Sequence, residues 1–239
     1  MKHHIRKTKL LAEFLCLFQL VHNVCGQNPW TATAAVHQIS RAAGSYTTSG
    51  TVDGTLDAAR FNVNWALCRH SNPDIMFVGT WSGMLRMVNI ATNSVTSVVG
   101  DPSYAGSSFV AGCGTAAKFQ SVGISACVYD GITDTVYLSY GSDIIRVSLE
   151  TSPACASVAV TNVGSTNGMT FVGRRLYIAT SASIRSIDVS TTPWTIVNEA
   201  GSGVSGQVDG CGTAATFNGN MGALDSDGTN ILWLSLIHI

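Results

Sequence analysis

Three arginines recur at similar points of three similar segments: Arg86 in LRMVN, Arg146 in IIRVS and Arg185 in IRSID. A guanidinium is a permanent cation with a planar fork of donors, so three in a ring could present to an anionic ligand. The same fork could instead bridge neighbouring segments by pairing with Asp side chains or backbone carbonyls. These three are the candidate ligand-binding residues. Asp53 and Asp209 hold one place in a recurring phrase, but Ala111 stands there in the second copy, so no metal is expected. Residues 225–230 (DSDGTN) alternate oxygen donors around a glycine like a calcium loop. They lack its downstream bidentate carboxylate, and a simple turn is the stronger reading.

Other chemistry is sparse. His37 and His70 are the histidines of the central chain, and His70, in the turn His70-Ser71-Asn72-Pro73-Asp74, reads as a surface residue. There is no nucleophile elbow, zincin helix, phosphate loop or EF-hand loop, so no catalytic residue, cofactor or metal is assigned. Seven cysteines lie at 16, 25, 68, 113, 127, 155 and 211 without a C-x-x-C pair, which argues against zinc. Cys113 and Cys211 occupy one place in two copies of the phrase, so each calls for a local partner; Cys113 with Cys127 is the candidate bridge.

The recurring phrase orders the rest. GCGTAAKF (Gly112 to Phe119) returns within DGCGTAATF (Asp209 to Phe217), and DGTLDAARF (Asp53 to Phe61) is a looser copy. Trains of short Val/Ile/Tyr/Thr-rich runs bounded by Gly, Asn, Asp and Ser follow, as strands do. Measured on the aromatic of the second strand (Phe77, Tyr137, Tyr177, Trp233), the units are spaced 60, 40 and 56 residues apart. The shortest interval lacks the phrase. The phrase is therefore a loop grafted onto a core unit of about 40 residues, the length of a four-stranded propeller blade. Its glycines suit a tight turn, its Ala-Ala pair one compact helical turn, and its Phe a place in the hydrophobic layer.

The strands resemble NHL repeats, whose units run from a Phe-containing entry through a "LYVAD"-like, a "RIRxID"-like and a "VxTxAG"-like strand. Phe77-Val78-Gly79, Tyr137-Leu138-Ser139 and Tyr177-Ile178-Ala179 match the second strand. Leu85 to Asn89, Ile145-Arg146-Val147 and Ile184 to Asp188 match the third. Thr80, Tyr140 and Thr180 replace the usual Asp, so family ligand contacts through that place do not carry over. The resemblance implies an all-β fold, an NHL-type β-propeller seen as a partial ring of about three and a half blades, against a full ring of about six. It also implies a secreted or cell-surface binding or scaffold module for a protein or glycan partner. The alternative is an enzyme similar to the peptidyl-amidating lyases or the calcium-dependent lactonases and esterases.

The ends complete the reading. Residues 1–26, with Lys2, Arg6, Lys7 and Lys9 before an apolar stretch, read as a secretory signal peptide, which places the product outside the cell. Five cysteines would follow it, an odd count that leaves a free thiol, an intermolecular bridge or a partner elsewhere in the sequence. Removing four basic residues and one acidic residue with the leader leaves nine basic and thirteen acidic, net −4, and no basic stripe for nucleic acid. Ala35 to Gly44 reads as an N-terminal closing strand whose partners belong near the C-terminus. The propeller is assigned to 27–233. Leu234 to Ile239 (LSLIHI) reads like an in-frame sequencing adaptor, so the chain is expected to be truncated with a non-native tail, and any membrane anchor would lie in the missing part.

Overall fold

A computed structural model describes residues 17–21, 38–120, 123–219, 221–229 and 232–236, with backbone alone for 17–21, 38–40 and 232–236. Most of the expected leader and residues 237–239 of the expected tail lie outside the described residues. Strands β1 (Leu17–Val21) and β2 (Gln38–Ala43) pair antiparallel with each other. The first blade follows: β3 (Asn64–Arg69), β4 (Ile75–Thr80), β5 (Leu85–Asn89) and β6 (Ser94–Val99), in that order across the sheet. The short β7 (Gly112–Cys113) then adds to the outer edge of a second blade, β8 (Cys127–Asp130), β9 (Thr135–Tyr140), β10 (Asp143–Ser148) and β11 (Cys155–Val160). A third blade comprises β12 (Thr166–Val172), β13 (Arg175–Thr180), β14 (Ile184–Asp188) and β15 (Ile196–Ala200), and β16 (Met221–Ser226) with β17 (Leu232–Leu236) begins a fourth. These are antiparallel meanders stacked face to face, the blades of a β-propeller whose ring is open.

Strand composition follows position. The second strand of each blade lies between two neighbouring blades, and in β9 every residue is buried. That is why TVYLSY reads as a nearly unbroken apolar run rather than an alternation. Between the first and second blades, Phe77, Leu138 and Ile145 are wholly buried. Between the second and third, Tyr137, Ile178 and Leu176 pack with the half-buried Phe171 and Trp194. Each such side chain stabilises the stack by about 1.5–3 kcal/mol relative to exposure.

The phrase is one structural unit built three times. Val52 bridges Arg60, Val110 bridges Lys118 and Val208 bridges Thr216, closing equivalent loops. The glycine ending the previous outer strand donates its N–H into each loop: Gly44 to Leu56 O at 2.8 Å, Gly100 to Gly114 O at 3.1 Å and Gly201 to Gly212 O at 3.1 Å. In the second and last copies Gly114–Ala116 and Gly212–Ala214 form single 3-10 turns, as the Ala-Ala pair led us to expect. Gly112 is required there, because a Cβ would sit 2.7 Å from the Ala116 carbonyl carbon.

Two expectations are corrected. Cys113 does not pair with Cys127; it joins Cys155, while Cys127 joins Cys68. Cys127 stands on the innermost strand β8 and Cys113 on β7 beyond the outermost, four strand spacings or about 19 Å away. A disulfide needs Cα atoms within about 7 Å, so the intra-blade pairing is out of reach. One observed bridge instead fastens adjacent inner strands of two blades, and the other pins the phrase to the outer strand. Their loops of 59 and 42 residues correspond to about 4 kcal/mol of chain-entropy stabilisation each. Secondly, the closing strand β2 pairs with β1, not with strands near the C-terminus. Its Ala42 and Ala43 pack onto Val78, Val88 and Val95, on the face of the first blade turned away from the second.

Candidate functional site

The three candidate arginines do not form a ring. Arg86 lies opposite Val78 and Arg185 opposite Ile178, equivalent places on the blade faces turned towards the preceding blade. Arg146 lies opposite Tyr137, whose equivalent is Phe77, on the face turned towards the following blade. Side chains alternate along a strand, so one residue of offset changes the face. Two causes combine: the β4–β5 turn is one residue longer than its counterparts, since Phe77 pairs ten residues on with Met87 whereas Tyr137 and Tyr177 pair nine residues on with Arg146 and Ser186, and Arg185 stands one residue earlier in its strand than Arg146 does.

Arg86 is wholly buried and fully engaged. It donates to Asp53 Oδ1 from Nε at 3.1 Å and Nη2 at 2.6 Å, to Arg60 O at 2.6 Å and to Val52 O at 2.6 Å. Its guanidinium carbon lies 4.5 Å from the centre of the Phe61 ring, and Asp53 also accepts from Ser97 N at 2.7 Å. Every partner of Arg86 lies in the phrase or, as with Val52, immediately before it, so Arg86 clamps the phrase to its blade. Asp53 is accordingly engaged by this cation. Arg185 does a smaller version of the same work, donating from Nη1 to Val163 O at 3.0 Å and Asn162 O at 3.4 Å in the short link before β12.

Arg146 differs. It is exposed, and its side chain makes no hydrogen bond or ion pair among the described residues. It opens onto a groove of about 850 Å³ between the second and third blades, whose walls include Ser157, Thr161, Thr192, Trp194 and Thr195. None of the lining residues is acidic. Beneath, Tyr137 packs against Trp194 with ring centres 6.0 Å apart. Burial pushes the Tyr137 phenol above its ordinary value, partly opposed by the Arg146 charge. The Trp194 Nε1 is buried without an acceptor among the described residues, which costs about 1–3 kcal/mol unless something meets it.

The groove exists because the phrase is missing there. In the first blade Leu56, Ala59 and Phe61 cover Val88 and Val95; in the second, Ala117 and Phe119 cover Val147 and Ala156. The third blade is entered directly, from Gly164 to β12 at Thr166, and the outer part of the wedge stays open. The sequence carried this signal in its shortest unit spacing, but not the identity of the walls, so Trp194 and Ser157 were not foreseen.

The other candidates are structural. His70 is only partly at the surface: it is half-buried, stacked on Tyr129 at 4.3 Å, and its Nδ1 accepts from Asn72 N at 2.9 Å. Of the calcium-like stretch, Asp225 and Ser226 end β16, a bend follows at Gly228 and Thr229, and residue 230 lies outside the described residues; Asp225 accepts from Ser226 N at 2.9 Å and Asp227 from Thr229 N at 2.8 Å. Among the described residues no group of three or more His, Cys, Asp and Glu side chains could hold a metal, and no helix is long and apolar enough to cross a membrane. Asp130 and Arg174 tie the second blade to the third, with Nη1 at 2.8 Å from both carboxylate oxygens. Burial alone would raise the Asp130 pKa, but hydrogen bonds from Thr133, Ile132 N–H and Arg174 hold it below the ordinary value.

The sheets and their stacking define a β-propeller. No family model matches the sequence, and no curated protein matches it. Among solved structures, an auxiliary nutrient binding protein from Bacteroides ovatus aligns over 78% of this chain and 50% of its own, at 14% identity and TM-score 0.51. The β-propeller domain of Myceliophteria thermophila Cps50 (Swd1) aligns over 70% and 47%, at 11% identity and TM-score 0.40. A chain of a nidogen/laminin complex aligns over 72% of each, at 13% identity and TM-score 0.44. The chain thus spans half or less of the first two. At these identities the likeness is one of fold.

Proposed function

We propose that this chain is part of a secreted or cell-surface propeller of the NHL type that works as a binding or scaffold module for a protein or glycan partner. One observation carries the reading: of three recurrent arginines, two are consumed in holding the fold and the third faces an open groove. A cation kept free beside a 850 Å³ concavity is placed for recognition, since clefts of this size are where ligands bind. Two disulfides support an oxidising, extracellular setting, as does the leader-like N-terminus.

The test is retention by extracellular matrix prepared from the source tissue. Wild-type chain should be held saturably and Arg146→Glu should be released, while Arg185→Gln is retained. Non-saturable binding, or equal retention of the Arg146 variant, contradicts the reading.

A further inference from the structure

The groove has a chemistry specific enough to name its ligand. Its walls carry one unpaired guanidinium, Arg146, and a row of hydroxyls, Ser157 and Thr161 on the second blade and Thr192 and Thr195 on the third. Between them lies Trp194, partly exposed. With no acidic side chain in the lining, Arg146 meets an anionic group without competition. A guanidinium fork pairs with carboxylate or sulfate in a planar, two-point contact. Hydroxyls on both sides exchange hydrogen bonds with a polyhydroxylated partner, and an indole face receives the apolar C–H face of a sugar ring. The volume suits a few sugar residues, not an extended surface.

We propose that the groove between the second and third blades binds an acidic saccharide, a sugar carrying a carboxylate or sulfate group, with Arg146 as the anion contact and Trp194 as the stacking face. This rests on the binding-module reading above. The competing ligand is an acidic peptide, because the outer edge of β11 is paired with β7 only at Cys155 and Ala156, leaving backbone groups beyond them for an added strand. The hydroxyl rows and the indole favour the sugar, since edge pairing uses neither.

Calorimetric titration of the full chain decides between them, with a heparin-derived oligosaccharide, an oligogalacturonate, a neutral malto-oligosaccharide and an oligoglutamate peptide as probes. At least one acidic sugar should bind, more weakly as salt rises, and Arg146→Gln should lower its affinity about tenfold or more. Thr192→Trp, which fills the groove from an exposed position, should abolish binding without changing the melting temperature. Oligoglutamate bound as tightly, with the same Arg146 dependence, overturns the saccharide assignment in favour of peptide. Neutral sugar bound equally well overturns the role of charge. Acidic sugar bound equally by wild type and both variants overturns the groove as its site. If no acidic sugar binds while matrix retention still depends on Arg146, the saccharide inference fails alone; if matrix retention is also independent of Arg146, the module reading fails with it.

Discussion

The first and second copies of the phrase solve one problem with opposite chemistry. In the first, Asp53 and the carbonyls of Val52 and Arg60 surround the buried Arg86; in the second, the same two places hold Ala111 and Ile145, and the Cys113–Cys155 bridge supplies the fastening. An Asp–Arg pair and an Ala–Ile pair are each self-consistent, whereas a mixture would bury an unpaired charge or leave acceptors unmet. The third blade has no phrase, and there the wedge stays open. What distinguishes the two structural arginines from Arg146 in this molecule is therefore whether a neighbouring loop supplies acceptors for the guanidinium: the phrase does so for Arg86 and the link before β12 for Arg185.

The largest effect should come from breaking the polar solution. Arg86→Ala removes the four hydrogen bonds to Asp53, Val52 O and Arg60 O and leaves a cavity at a wholly buried site, and should cost about 3–5 kcal/mol in denaturant unfolding. The double variant Asp53→Ala with Arg86→Ile, which copies the second blade, should recover most of it. A double variant no better than the single one would show that the two solutions are not interchangeable. Next, Cys155→Ser removes the covalent fastening of the second phrase and should cost about 2–4 kcal/mol under oxidising conditions. Under full reduction wild type and variant should converge, and a persistent gap would mean that the bridge is not the cause.

Smaller still is the pH effect at Asp130, which joins the blades on either side of the open wedge. Its folded pKa lies below that of the unfolded chain, so its stabilisation is present above the ordinary carboxylate pKa of 3.8 and is lost as pH falls through the lower folded value. Asp130→Asn should flatten that part of the acid limb of the stability curve, and an unchanged limb would remove Asp130 from the account.

Much of the blade architecture was legible because its signals are local and repeated. The largely apolar second strands, the shrunken second interval and the glycine phrase led to about three and a half blades. What was not legible depends on register and on distance across a sheet. The place shared by Arg86, Arg146 and Arg185 in the sequence dissolves because one extra turn residue before Leu85 shifts the facing of its strand and because Arg185 stands one residue earlier in its strand than Arg146. The Cys113–Cys127 expectation failed because closeness in sequence ignores the width of a four-stranded blade. His70, in a turn with every surface mark, is half-buried because the Tyr129 ring of the next blade covers it.

Thermal unfolding of Arg86→Gln, Arg185→Gln and Arg146→Gln, each made singly in the full chain, tests the division most directly. The account predicts a large fall in melting temperature for Arg86→Gln, a smaller one for Arg185→Gln and none for Arg146→Gln. A fall for Arg146→Gln as large as that for Arg86→Gln, or an unchanged melting temperature for Arg86→Gln, would contradict it.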